Sequence, residues 1–392
     1  MPHKNNNLLL FILCLGVFGI LSTELGMMGI IPIVSQKFNI STADAGWTLS
    51  VFALTITLCA PIVPLLCSGF NKKKLMVVSL AVFSLSSLAC IFAKDFWLLL
   101  VLRASAAFFH PIYIALALNI ANSCVDDPKE APKAVAKVFA GVSAGMVLGV
   151  PITSYLGGEF CFEAAMGFFF VINTLTLFAT IFFVPQLQRS QKIQFAHQFK
   201  ILKEPLLWSS IIAVVCLNGG IWGFYGYVSD FLYQISNMDF THISTTLFIY
   251  GTSNIIGNII AGKTLVKNAD FTLKFTPFIM ILFYAVIFMN ATEIWILIAV
   301  IFLLGILGGI MNNAAHFMIA HPYPHAAELT NGLFLSVANI GLFVGTNVCG
   351  FFITFWNTRY IAIAAILLIL AGILSIFIRS QFEKMNQIAQ KT

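Results

Sequence analysis

Apolar runs of about twenty residues recur from one end of the chain to the other, each long enough as a helix to cross a hydrocarbon core of about 30 Å. A bilayer interior offers no water to backbone N–H and C=O groups, so a spanning chain must close its hydrogen bonds within helices or a barrel, and runs of this length select helices. Twelve spans are expected, at about 8–34, 45–68, 75–93, 96–122, 134–157, 164–184, 207–234, 241–262, 273–289, 293–320, 327–353 and 359–379. The composition agrees: 59% of the 392 residues are apolar, 9% are charged and the mean hydropathy is +0.95, whereas a soluble domain carries about a quarter charged residues. The reading is an all-α integral membrane protein with no soluble domain. The first run is too long for a signal-peptide core and lacks a small-residue cleavage site, so it is read as a span.

The basic residues set the expected orientation. Of 21 Lys and Arg, Arg103 falls within a span and only Lys37, Lys94 and Arg359 fall on one side; the rest share the side of both termini. Lys and Arg accumulate in cytoplasmic loops, which predicts two cytoplasmic ends. The net charge of +6 is then a consequence of topology and carries no case for nucleic-acid binding. The eight cysteines are scattered without a CxxC pair, so neither a disulfide framework nor a metal site is indicated.

The longest polar connection divides the chain into an expected six-span half over 1–185, a cytoplasmic linker over 186–206 and a second six-span half over 207–392. The linker is basic, with Phe195, Phe199 and Leu202 available to face a lipid surface, and reads as a tether on anionic membrane lipid. Transporters built from two repeated halves hold substrate near the midplane between them and expose it to each side in turn.

The fifth span contains GVSAGMVLGVPITSYLGG, from Gly141 to Gly158. Gly141, Gly145 and Gly149 recur every four residues and leave one helical face without side chains, so that a neighbour can approach closely. Pro151 removes a backbone donor and permits a bend. Ordinary tight packing reads the same way. The stretch nevertheless resembles the antiporter motif of the drug/proton antiporters in the major facilitator superfamily, in which Gly145, Gly149, Pro151 and Gly157 stand at gating or packing positions. VLRASAAFFHPIYIALALNIA, with Arg103, resembles the fourth-helix motif of that family. PLLCSGFNKKKLM resembles its signature loop, but has Ser68 where most members carry aspartate and Asn71 where they carry glycine, which weakens the charge-relay account of that loop. TELGMMGIIP, the degenerate loop, and His110 seven residues after Arg103 look most like the sugar-efflux transporters, with purine-efflux transporters also similar.

Glu24 interrupts an otherwise apolar first span. A carboxylate there costs about 2.5–3.5 kcal/mol on insertion scales, so a partner, a proton or water must offset it. On a rise of about 1.5 Å per residue it lies about 15 Å from the outer end, between Arg103 at about 10 Å and His110 at about 21 Å, two residues that share a helical face. Either Glu24 loads and releases a proton as its surroundings change, or Glu24 and Arg103 form a permanent structural pair. His110 suits proton relay, substrate hydrogen bonding, or a bond to a carbonyl loosened by Pro111.

The second half is expected to supply substrate contacts. Trp222 and Tyr225 in NGGIWGFYGYVSDF can stack on a sugar or a flat heterocycle, although such spacing also serves packing. Asn339 shares a face with Thr346 and Asn347, and resemblance to the sugar-efflux group implies a substrate contact there; Asn312 and Asn313 in the tenth span are further candidates. No GxxxxGK[ST] loop, metal-ligand spacing or catalytic constellation occurs, which argues against nucleotide-driven transport and against an enzyme. The expectation is a proton-coupled antiporter, working as a monomer without cofactor or metal, whose partners are protons, membrane lipids and a small-molecule substrate: a sugar, a sugar-like compound or a drug. A purine or nucleoside exporter is the alternative, and a proton-independent facilitator or lipid flippase is the alternative of another class.

Overall fold

A computed structural model describes residues 6–124, 130–185 and 198–389, which form helices and turns and no strand. The spans are α1 Asn6–Leu25, α2 Thr42–Cys59, α3 Lys72–Ile91, α4 Phe96–Ser123, α5 Ala131–Glu159, α6 Phe162–Phe183, α7 Pro205–Gln234, α8 and α9 within Phe240–Met289, α10 Ile294–Ala320, α11 Ala327–Phe355 and α12 Ile361–Ala389. Among the described residues, 11 continuous helices are long and apolar enough to span. The twelfth is hidden in the longest. Asn268 interrupts Phe240–Met289 with φ −160° and ψ 88°, and its Oδ1 accepts from the backbone N of Phe271 at 3.0 Å. It therefore caps α9 (269–289) directly after α8 (240–267), and the two expected spans follow one another without a loop.

Side-chain caps and prolines set the other boundaries. α2 was expected to reach residue 68 but stops at Cys59, because Pro61 lacks the N–H that would continue the ladder. Asn71, in the glycine position of the loop motif, accepts from the backbone N of Lys74 at 3.0 Å and starts α3. Lys73 of the basic run donates to the Ile181 carbonyl at 2.8 Å, at the carbonyl end of α6, where a cation is favoured. Asp239 caps α8: the backbone N and ring of His242 hydrogen-bond its carboxylate at 2.8 Å and 2.7 Å and hold it below the usual carboxylate range. Of the linker, 186–197 with Phe195, and the Phe199 side chain, lie outside the described residues, as does the Ser68 side chain; the Leu202 carbonyl accepts from Nε1 of Trp208 at 2.8 Å.

The contacts divide the chain into two compact units. One comprises Met1–Ile40, Leu58–Ile193 and Asp239–Phe248; the other comprises Ser41–Thr57, Gln194–Met238 and Ile249–Thr392. The segment 41–57 thus groups with later helices, and 239–248 with earlier ones.

Candidate functional site

In the first unit, α1 ends where LSTELGMMG tightens into a 3-10 turn over Gly26–Gly29. The last carbonyls of a helix have no intrahelical donor and carry its negative pole. Arg103 of α4 meets this need: Nη1 donates to the Thr23 carbonyl at 3.2 Å and Nη2 to the Glu24 carbonyl at 3.4 Å. The Glu24 carboxylate turns instead to His110, with Oε2 2.9 Å from Nε2. All three residues are buried, with 8% of Glu24 and 3% each of Arg103 and His110 exposed. Asn173 of α6 steadies the turn by donating to Thr23 Oγ1 at 2.9 Å and to the Phe169 carbonyl at 2.8 Å. The structure therefore brings together the three candidates for proton coupling. It gives the arginine main-chain acceptors and places the imidazole against the carboxylate.

The glycine ladder of α5 fits against this same stretch of α1. A Cβ at Gly145 would lie 2.6 Å from Cβ of Leu21, and one at Gly149 would lie 2.8 Å from Cβ of Ser22 and 3.0 Å from its Cα. Gly157 meets Ile30 in the same way, at 2.7 Å from Cγ2. From the opposite side, a Cβ at Gly29 in the 3-10 turn would lie 2.9 Å from the Val150 carbonyl oxygen. Close approach is thus mutual. Over Gly145–Gly149 the helix widens into a π-bulge just before Pro151, the form a helix adopts when a proline supplies no N–H to the preceding turn.

In the second unit, Trp222 and Tyr225 of α7 meet edge to face with ring centroids 6.0 Å apart, and Tyr225 stacks on Tyr250 of α8 at 4.2 Å and 20°. The Tyr225 hydroxyl is buried without a hydrogen-bond partner among the described residues. Asn339 of α11 donates to the Leu335 carbonyl of its own helix at 3.0 Å, and its Oδ1 is likewise buried without a partner. Asn312 of α10 is half-buried. Hydrogen bonds and ring contacts among the described residues do not join Asn312 or Asn339 to the Trp222–Tyr225 pair.

Three features escaped the sequence reading. Tyr250 completes the aromatic stack. The α8 amides Asn258 and Asn254 extend a run that begins at Asn313 of α10, a candidate beside Asn312: Asn313 donates to Asn258 at 2.7 Å and Asn258 to Asn254 at 3.4 Å. Asp230 is a second buried carboxylate. An asparagine at four-residue spacing in α8 was the available signal for the amides, and for Asp230 the signal was the one that marked Glu24, an acidic residue within an expected span (207–234).

The family model described as Major Facilitator Superfamily matches residues 12–291. Inner membrane transport protein YdhP of Escherichia coli is 26% identical over 87% of this chain and 86% of its own. A probable sugar efflux transporter of Helicobacter pylori is 23% identical over 85% of each chain. Among solved structures, a bacterial homolog of the human lysosomal transporter Spinster, inward-facing and occupied, superposes with a TM-score of 0.77 at 14% identity, covering 97% of this chain and 98% of that one. The nucleoside transporter NupG superposes with a TM-score of 0.77 at 14% identity, covering 97% of this chain and all of that one.

Proposed function

This chain belongs to the Major Facilitator Superfamily, a family of membrane transporters and not of enzymes, and on that premise we propose that it exports a small organic solute by alternating access in exchange for protons. The proposed solute is a sugar or sugar-like compound. The observation that carries the coupling is the buried Glu24 carboxylate 2.9 Å from His110 Nε2. A carboxylate facing only a fixed cation stays ionised, whereas one facing an imidazole has a neighbour that itself gains and loses a proton in the physiological range. Glu24 is the proton carrier in this reading, His110 its relay and Arg103 the residue that fixes the end of α1 beneath it. The sugar reading draws on the names of the relatives and on the polar but uncharged set of Trp222, Tyr225, Asn312 and Asn339. Both termini are cytoplasmic in this reading, and the linker 186–206 joins two six-span halves.

The aromatic cluster supports a second reading. Tyr225 stacks on Tyr250 and meets half-buried Trp222 at its edge, and an indole so held suits a purine as well as a sugar ring. Uptake of labelled sugars and nucleosides into inverted vesicles, with and without a proton gradient, tests both. Gradient-dependent uptake of a sugar supports the first reading, a nucleoside alone supports the second, and uptake indifferent to the gradient would replace antiport by facilitated diffusion.

A further inference from the structure

Gly16, Gly19 and Thr23 share one face of α1, and polar side chains of neighbouring helices are turned onto it. The phenol of Tyr113, from α4, stands where a side chain at Gly16 would begin, and Asn173 Oδ1 of α6 lies 3.0 Å from the place a Cβ would take at Gly19. Asn173 also donates to Oγ1 of Thr23, the residue before Glu24. Tyr113, Asn173 and Thr180 are each 0% exposed. Even so, Tyr113 Oη, Asn173 Oδ1 and Thr180 Oγ1 have no hydrogen-bond partner among the described residues. Thr180 stands beside the phenol without a bond of good geometry to it.

Other hydroxyls in these helices are satisfied locally. Thr23, Thr153 and Thr176 each donate to the carbonyl four residues back, at 2.8, 2.7 and 2.9 Å. A buried polar atom left unpaired is costly, and proteins satisfy such atoms with internal water where polar groups cluster. The three atoms are clustered in this way: Gly16 and Gly19 are about 4.5 Å apart along α1, a step that one water bridges. At one end of the cluster, Tyr113 follows His110 by three residues on α4, so the two share a face, and His110 meets the Glu24 carboxylate. At the other, Thr180 is one turn from the end of α6 at Phe183, where the chain leads into the linker.

We propose that Asn173, Tyr113 and Thr180 hold a file of internal water along this face of α1, and that Tyr113 relays the coupled proton between the Glu24–His110 pair and the linker end of the first unit. Each hydroxyl or water in the file takes a proton on its oxygen and passes on the one it carried, so every member ends as it began. The relay rests on the antiport reading; the file does not. The file is tested on purified protein in nanodiscs, without substrate or gradient, by a millisecond X-ray pulse in oxygen-18 water, which turns bound water into hydroxyl radical that oxidises the side chains it touches. Tyr113 is expected to gain the isotope at least about tenfold faster than Phe52, equally buried in the second unit, the contrast between a hydrated and a dry site. Equally slow labelling of both overturns the file and the relay with it. The relay is tested by Tyr113→Phe, which removes one oxygen and keeps the ring, and by Thr180→Val from a second helix. Each is expected to cut gradient-driven uptake of labelled sugars and nucleosides into inverted vesicles by at least about tenfold, since a positioned proton-transfer group contributes about a hundredfold or more, while exchange of labelled for unlabelled solute continues. Unchanged uptake by Tyr113→Phe overturns the relay, and loss of exchange along with uptake assigns the residue to the scaffold and overturns it too. Should Tyr113→Phe not fold, Thr180→Val alone decides. Wild-type uptake that ignores the gradient would sink the antiport reading and the relay together, and labelling at Tyr113 would still decide the file.

Discussion

Oε2 of Glu24 and Nε2 of His110 lie 2.9 Å apart inside the first unit, while Arg103 spends two of its donors on the main chain at the end of α1. The carboxylate thus faces an imidazole, and the guanidinium secures the turn that carries it. Glu24→Gln, which mimics the protonated acid and cannot release a proton, is expected to abolish gradient-driven uptake into inverted vesicles while exchange of labelled for unlabelled substrate persists. Adding Arg103→Gln should not restore uptake. Full uptake by the single variant at matched protein amount would move the proton to another residue, with His110 tested next.

Arg103→Lys keeps the charge but not the fork that spans two carbonyls. We expect a loss of about 1–3 kcal/mol in stability, the cost of leaving a buried acceptor without its donor, seen as a lower unfolding midpoint in detergent. An unchanged midpoint would show that the Thr23 and Glu24 carbonyls find other donors.

Gly149→Ala should cost about 1–3 kcal/mol, because its Cβ would press on Ser22 at 2.8 Å. Gly149→Leu should block transport in protein that still inserts, since α5 can no longer close on α1 beside the Glu24 turn. Normal transport by the leucine variant would reduce the ladder to incidental packing.

Tyr225→Phe separates packing from ligand contact. The hydroxyl is buried without a partner among the described residues, so its removal is expected to leave stability unchanged or slightly raised. If it contacts substrate, the Kd should rise by about tenfold. A substrate Kd that does not move assigns Tyr225 to the Tyr250 stack alone.

The ion pair between Lys37 and Glu163 provides a contrast. More than a third of each side chain is exposed, and such pairs contribute less than about 1 kcal/mol. Glu163→Gln is expected to leave both midpoint and transport unchanged, which a standard melt and an uptake assay check together.

The sequence by itself determined that this chain lives in a membrane and roughly where it crosses, because spanning demands a run of apolar residues and little else. It also marked Glu24, Arg103, His110 and the ladder Gly145 and Gly149, since charge in hydrocarbon and a bare helical face are conspicuous in one dimension. It could not say that the Glu24 carboxylate meets His110 while Arg103 meets carbonyls. That choice depends on how α1 and α4 are rotated about their axes and on the 3-10 turn that presents those carbonyls. Nor could it join α8 directly to α9, for the break rests on one residue, Asn268, leaving the helical region. The pairing of Asp230 is the clearest case of what tertiary structure alone decides. Its partners Thr42 and Thr358 lie 188 and 128 residues away, and hydrogen bonds between such distant positions leave no periodic trace, because only packing of the whole chain sets which side chains face one another.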